Sequence, residues 1–331
     1  MSVDVGLLQA ADIDGLVFRP FVNADDYQAI ADLIAVSHLA DGDEYVPDAA
    51  SLQIDWETTP GFNAPRDIIL AEVRGRLIAY GGVDRQVRDG VAVYVTSGTV
   101  HPDFRRRGLG RTIVRRNETR LREMAETHRD RGGRTYAAWV GDREGGAREL
   151  LLAEGYGPVR YSFAMIRSDL DDLPQWQLPE GLELRGLRPE DHRAVFDADN
   201  EAFRDHWGHH EATELDFVGF FKFDSFEPGL CRVAWDGDQV AGSVLTFVWK
   251  LENEKLGVRR GWFERVSVRR PWRRRGLARA MLVSAMAGLR DAGLEQAMLG
   301  VDAENPNGAL PLYTSLGFVI KDSGTSLRKA W

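Results

Sequence analysis

Cysteine is nearly absent: Cys231 stands alone among 331 residues, so no disulfide can form within the chain. That excludes a disulfide scaffold and fits a reducing compartment. No apolar run reaches membrane-spanning length, and the opening Met1-Ser2-Val3-Asp4 lacks the basic start and apolar stretch of a secretion signal. The chain therefore reads as cytoplasmic, with no membrane partner. Positive charge is also short: 42 Lys and Arg against 51 Asp and Glu leave a net charge of −9, which disfavours non-specific binding to nucleic acid. Low-complexity segments are missing. Cys231 lies in a strand-like run without a neighbouring histidine, so it reads as a structural thiol rather than an acyl-carrying nucleophile. His206, His209 and His210 lack the spaced ligand set of a tetrahedral zinc site, and no metal is expected.

What is present is ordinary globular material, 44% hydrophobic and 28% charged, in a length natural for two domains. One stretch organises the second half. Val266-Ser267-Val268 closes a β-rich run, Arg269 to Arg275 form a basic turn, and Gly276-Leu277-Ala278-Arg279 open an apolar-periodic helix. Gly276 lets a ligand approach the backbone. The unpaired amides of the first helical turn and the positive end of the helix dipole favour phosphate oxygens, and Arg273, Arg274 and Arg275 add charge beside them. The chemistry suits a pyrophosphate.

The same device stands 168 positions earlier, where Val100 ends a strand-like run and Arg105, Arg106, Arg107, Gly108, Leu109, Gly110 and Arg111 lead into a helix. A repeat at half the chain length is a duplication signal. Around each loop the element order recurs: strand, helices, an antiparallel meander, loop, helix, strand, short helix, strand. This predicts two mixed, mostly antiparallel α/β sheets flanked by helices. The first domain is expected over 1–168, an acidic, proline-bearing linker over 169–181 and the second domain over 182–331. The chain should end in a strand pair around Ser323-Gly324.

Both loops resemble the acetyl-CoA loop of the GNAT acyltransferase superfamily, Arg/Gln-x-x-Gly-x-Gly/Ala, met by Arg105, Gly108, Gly110 and by Arg273, Gly276, Ala278. A distal segment adds Ala309, Leu312, Tyr313, Gly317 and Phe318 in the register of the superfamily's Asn-x-x-Ala-x-x-Leu-Tyr-x-x-x-Gly-Phe signature. Pro306 takes the asparagine's place, between Asn305 and Asn307. The resemblance implies two tandem GNAT-like domains and transfer of acetyl from acetyl-CoA directly to an amine. It implies that Val266, Val268, Asn305 and the loop residues hold the cofactor, with Val100 and its loop doing so in the first half.

Tyr313 is then the expected donor of a proton to the CoA thiolate, a phenol near pKa 10 matched to a thiol near about 8.5. Glu264, on the strand entering the loop, is the expected acceptor of the amine proton; period-two alternation puts it on one face with Val266 and Val268. The first half has Leu151 and Thr96 at these two places, so it keeps a cofactor loop without the chemistry. His206 and Trp207 fall where such folds cover the acceptor, either lining its pocket or, for Trp207, plugging the core. A small-molecule amine is the expected acceptor. Two other readings stand beside this one: a non-catalytic acyl-CoA sensor, and an enzyme that acetylates a protein N-terminus or lysine.

Overall fold

The computed structural model describes residues 13–130, 132–305 and 307–331. The readings made at Met1–Asp4 and at Pro306 lie outside the described residues. The chain divides into two compact units. Unit 1 takes the chain up to Arg160 and again Gly324–Trp331, and unit 2 takes Tyr161–Ser323.

In unit 1, β1 (Leu16–Pro20) leads to helices α1 (Asp25–Ala40), α2 (Ala49–Thr58) and α3 (Ala64–Asp67). The meander β2 (Ile68–Val73), β3 (Arg76–Arg88) and β4 (Val91–Val100) follows, antiparallel throughout. Asp89 and Gly90, at φ 50° and 77°, make the two-residue turn between β3 and β4, the conformation that matches strand twist in a tight hairpin. Helix α4 (Leu109–Glu126) then carries the chain to β5 (Arg134–Gly141), parallel to β4, and α5 (Gly145–Ala153) follows. The apolar stripe of α4, including Val114, Leu121 and Ala125, packs on Tyr94, Tyr136 and Val140.

Unit 2 repeats this plan. After β7 (Glu183–Arg185) come α6 (His192–Phe203) and α7 (Glu214–Phe220). Next are β8 (Arg232–Asp236), β9 (Gln239–Phe247), α8 (Lys250–Leu256), β10 (Arg260–Val268), α9 (Leu277–Asp291), β11 (Gln296–Asp302) and α10 (Ala309–Ser315). Strands β7 to β10 are antiparallel neighbours, and β11 runs parallel to β10. Helix α9 buries Met281, Leu282, Ala285, Met286 and Leu289 against Phe263, Leu299 and Val301.

Three expectations are corrected. The division at 168 and 182 is not the boundary between units: in β6 (Gly157–Arg167), residues 162–167 pair with β11 inside unit 2. The stretch 169–181 is no free linker, because Leu170 is buried and Leu173 and Leu178 pack on the α9 core. The chain does not end in a strand pair, since Val319–Ala330 is one strand, β12, whose Gly324–Ala330 pair with β5 in unit 1. A Ser-Gly pair between apolar runs reads as a turn, but Gly324 lies against the Trp139 ring, where an added Cβ would come within 2.2 Å. Its glycine serves close approach, not chain reversal. Each unit's sheet thus ends on a strand from the other half of the sequence.

Candidate active site

Each loop leaves its strand through a single turn of 3-10 helix, Pro102–Phe104 in unit 1 and Arg270–Trp272 in unit 2. It enters its helix through a left-handed glycine, and Gly108 and Gly276 share a φ of 84°. Arg106 and Arg274, two residues before, are left-handed as well, at 62° and 59°. The first intrahelical bonds run from the Thr112 amide to the Gly108 carbonyl and from the Ala280 amide to the Gly276 carbonyl. The amides of Leu109–Arg111 and Leu277–Arg279 therefore stand ahead of the helical ladder, turned toward the loop. Two segments 168 positions apart adopt one backbone conformation, whose leading amides suit an anion.

The arginines divide into braces and unpaired charges. Arg105 donates from Nε to the Val100 carbonyl at 3.3 Å, from Nη1 to Asp41 at 2.7 Å and from Nη2 to Ser37 Oγ at 2.7 Å. Arg273 donates from Nε to the Val268 carbonyl at 2.9 Å, from Nη1 to Asp205 at 2.7 Å and from Nη2 to the Ala202 carbonyl at 3.0 Å. The motif arginine thus ties the loop to the strand it left and to the C-terminal end of α1 or α6. Asp205 also accepts from Arg270, and the two guanidiniums hold its carboxyl below the usual range. Arg273 is expected above to add charge at the phosphates and Arg105 to hold the cofactor, but the donors of both are committed to this bracing.

In unit 2, Arg274 and Arg275 are exposed and make no ion pair among the described residues, while Arg279 reaches Ser315 Oγ at 3.0 Å. In unit 1, Arg106 pairs with Glu149 at 2.9 Å, Arg111 pairs with Glu154 at 2.8 Å, and Arg107 lies over the Phe104 ring. The unit 2 loop keeps more uncompensated positive charge.

Beside each loop the parallel central strands part. Pairing between β4 and β5 ends at Val95 with Ala137, though the strands continue to Val100 and Gly141. Pairing between β10 and β11 ends at Phe263 with Leu299, though they continue to Val268 and Asp302. In unit 1 the parting holds a cavity of about 570 Å³. Thr96–Val100, Ala138–Val140, the loop, and Gly146, Ala147, Leu150 and Leu151 of α5 wall it. Its size is that of a small-molecule site. Left-handed glycine, unpaired amides and a parted pair of strands fit a pyrophosphate with a long arm running into the sheet.

Glu264 is where the units differ most. Across β9 and β10, Phe263 faces Thr246 and Arg265 faces Leu245, which leaves Glu264 with no partner: a β-bulge. In unit 1, β3 and β4 pair without interruption, and Thr96 faces Val83. The bulge corrects the simple alternation. Phe263, not Glu264, shares the α9 core with Val266 and Val268, and Glu264 accepts a bond from Trp249 Nε1 at 3.2 Å. Trp249 packs in the separate cluster of α6 and α7. Thr96, lacking a bulge, is buried and accepts from Asn117 of α4 at 2.9 Å. Glu264 is exposed on β10, beside the indole of Trp249. Desolvation pushes its carboxyl up, against the opposing pull of Trp249 and Arg265.

Tyr313 on α10 is buried in the α9 core, with its ring 6.1 Å from Phe318. Burial pushes its phenol up to about 12, so it is protonated at neutral pH. Among the described residues no protein group bonds its hydroxyl. Leu151 fills the equivalent place in unit 1. Asn305 turns its side-chain oxygen to the Asn307 amide at 2.8 Å, and Asn307 Oδ1 lies 3.3 Å from Arg273. His206 packs on Phe203 at 4.3 Å, and desolvation lowers its pKa against the pull of Asp302. Trp207 is 39% exposed, so it plugs no core. Cys231 is buried and its thiol pushed up to about 12, which suits an inert core residue.

The sequence reading missed the braces Asp41 and Asp205, the helix α8 and Trp249. Only the bulge had a signal: Trp262-Phe263 followed by Glu264-Arg265 breaks period-two alternation.

A family model described as the acetyltransferase (GNAT) family matches residues 28–134 and again 192–318. The chain is 32% identical over 246 residues to a mycothiol acetyltransferase of Paenarthrobacter aurescens, covering 71% of this chain and 72% of that one. It is 28% identical over 305 residues to a mycothiol acetyltransferase of Geodermatophilus obscurus, covering 91% and 94%. Among solved structures, a GCN5-related N-acetyltransferase from Sphaerobacter thermophilus superposes with a TM-score of 0.73 at 30% identity over 96% of each chain. A tandem GNAT protein from the clavulanic acid biosynthesis pathway superposes at 0.67 with 16% identity over 95% of this chain and 98% of that one, a likeness of fold.

Proposed function

The chain belongs to the GNAT acetyltransferase family and is an acetyl-CoA-dependent N-acetyltransferase, and from that premise we propose that unit 2 carries the chemistry, on a primary amine of a small molecule. The observation that carries this reading is the bulge at Glu264: it leaves an exposed carboxylate held by Trp249 in unit 2, where unit 1 has a buried threonine on an unbroken strand. Acetyl-CoA supplies the thioester whose carbonyl the amine attacks.

The residues divide the work. The Leu277–Arg279 amides, with Arg274 and Arg275, hold the pyrophosphate. Val266 and Val268, on the part of β10 that has left β11, offer backbone groups to the cofactor arm and to the developing oxyanion, and Asn305 stands beside that arm. Glu264 takes the amine proton. Its raised pKa brings it closer to the working pH, where a base is most effective. Tyr313 Oη, protonated because it is buried, gives its proton to the departing sulfur. His206, kept neutral by desolvation, and Trp207 border the acceptor.

Unit 1 is read as a second acetyl-CoA site without turnover: its loop and cavity suit the ligand, and Leu151 cannot donate a proton. The relatives named mycothiol acetyltransferase make a mycothiol-related amine the first acceptor to assay. The test is CoA-thiol release over a panel of small primary amines. Gly276→Glu, forced into a left-handed position, abolishes release, and Gly108→Glu retains it. Release that survives Gly276→Glu and is lost with Gly108→Glu would move the chemistry to unit 1.

A further inference from the structure

Trp249 lies outside every motif of the family pattern, yet among the described residues its indole is the one hydrogen-bond partner of the bulged carboxylate. It ends the β9 hairpin and stands at the N-cap of α8. Its ring stacks on Phe247 with centroids 5.8 Å apart and planes 24° from parallel, and meets Phe223 edge-on at 6.2 Å. The aromatic cluster therefore holds the indole before any ligand arrives. From there Nε1 donates to Glu264 Oε1 at 3.2 Å.

Four charged side chains near Trp249 and Glu264, those of Lys250, Glu252, Arg260 and Arg265, have other partners of their own. Arg265, the next residue, pairs with Asp199 of α6 at 3.1 Å. Glu252 of α8 accepts from Trp262 Nε1 at 3.3 Å and lies 3.6 Å from Arg260. Lys250, beside Trp249, pairs with Glu227 at 3.0 Å.

We infer that Trp249 is a positioning residue for the transfer, fixing the direction of the Glu264 carboxylate and favouring its ionised form by one indole N–H bond. The inference rests on the reading of Glu264 as the proton acceptor. A bulged residue has no cross-strand partner to orient it, so its side chain needs an outside contact to hold one rotamer. Trp249 supplies that contact from a rigid ring whose hydrogen bond costs little further ordering.

A bond to the charged form lowers a carboxyl pKa; without it the pKa rises, and the acidic limb of kcat/KM moves to higher pH. The test takes the pH profile of kcat/KM for the full chain and three variants, with thermal melting to check the fold. Trp249→Phe keeps a ring and loses the donor. The limb should move up, with roughly a three- to tenfold fall at the acidic end and recovery at the alkaline end. Trp249→Gln keeps an N–H donor and loses the ring; its limb should stay nearer that of the wild type, whatever happens to its melting point. A limb unmoved in Trp249→Phe, or moved equally in both, overturns the inference, as it would show that no bond or only ring packing is at work. Glu264→Gln separates this from the underlying reading. If the acidic limb survives in Glu264→Gln, Glu264 is not the proton acceptor and the reading fails; if it vanishes there, only the role of Trp249 is decided by the other two.

Discussion

Replacing Tyr313 with Phe removes one oxygen and leaves the ring in place. No protein group bonds the hydroxyl among the described residues, and the ring's packing against Phe318 and the α9 core is retained. The fold therefore loses no hydrogen bond, and stability should stay within about 0.5 kcal/mol of the wild type. Catalysis should respond differently. If the phenol protonates the departing sulfur, its loss removes a general acid worth roughly 10²- to 10⁴-fold, about 2.7 to 5.4 kcal/mol of barrier. The assay is thiol release at saturating acetyl-CoA and amine, alongside calorimetric binding of acetyl-CoA and a melting curve. The expected result is a kcat lowered at least a hundredfold, with unchanged affinity and melting point. Because burial pushes the phenol to about 12, the wild type should show no alkaline limb from this residue below about pH 11. A kcat within threefold of the wild type would refute the assignment and leave Tyr313 a packing residue.

Other outcomes follow from the same geometry. Calorimetry should find two acetyl-CoA sites, one lost in Gly108→Glu and the other in Gly276→Glu; a single site lost only in Gly276→Glu would make unit 1 a scaffold. Arg273→Ala should lower the melting temperature because it cuts a brace between β10 and α6, whereas Arg274→Ala should leave melting unchanged and weaken acetyl-CoA binding in a salt-dependent way, as measured by titration at two ionic strengths. Asn117 is fully buried and donates to Thr96 Oγ1 and to the carbonyls of Gly82 and Ser97, so Asn117→Ala should destabilise unit 1 by about 2 to 4 kcal/mol in a denaturant titration. Glu264 has a folded pKa above its unfolded one, so its contribution to stability is intact below the unfolded pKa and is lost as pH rises through the folded value. The melting temperature of Glu264→Gln minus that of the wild type should therefore be higher at pH 8 than at pH 4, and a difference that falls with pH would refute the raised pKa.

Two kinds of information built this protein. The loops were legible in the sequence because their conformation is local: a strand end, a basic turn, and a glycine that can take φ 84° ahead of a helix are specified by consecutive residues. The repeated element order was legible for the same reason, since periodicity and turn residues act over short spans. The Tyr313 and Leu151 difference needed only a register between the two copies. Tertiary structure decided the rest. Arg273 and Arg274 are neighbours of one residue type, and only the distance to Asp205, just beyond the end of α6, makes the first a brace and leaves the second unpaired. The broken alternation at Trp262-Phe263-Glu264-Arg265 hints at a bulge, but that Glu264 meets Trp249 depends on the register with β9 and on where α8 begins. The exchange of β6 and β12 between units likewise depends on which sheet edge each strand meets, and strands of similar composition carry no address for that edge until the sheets exist.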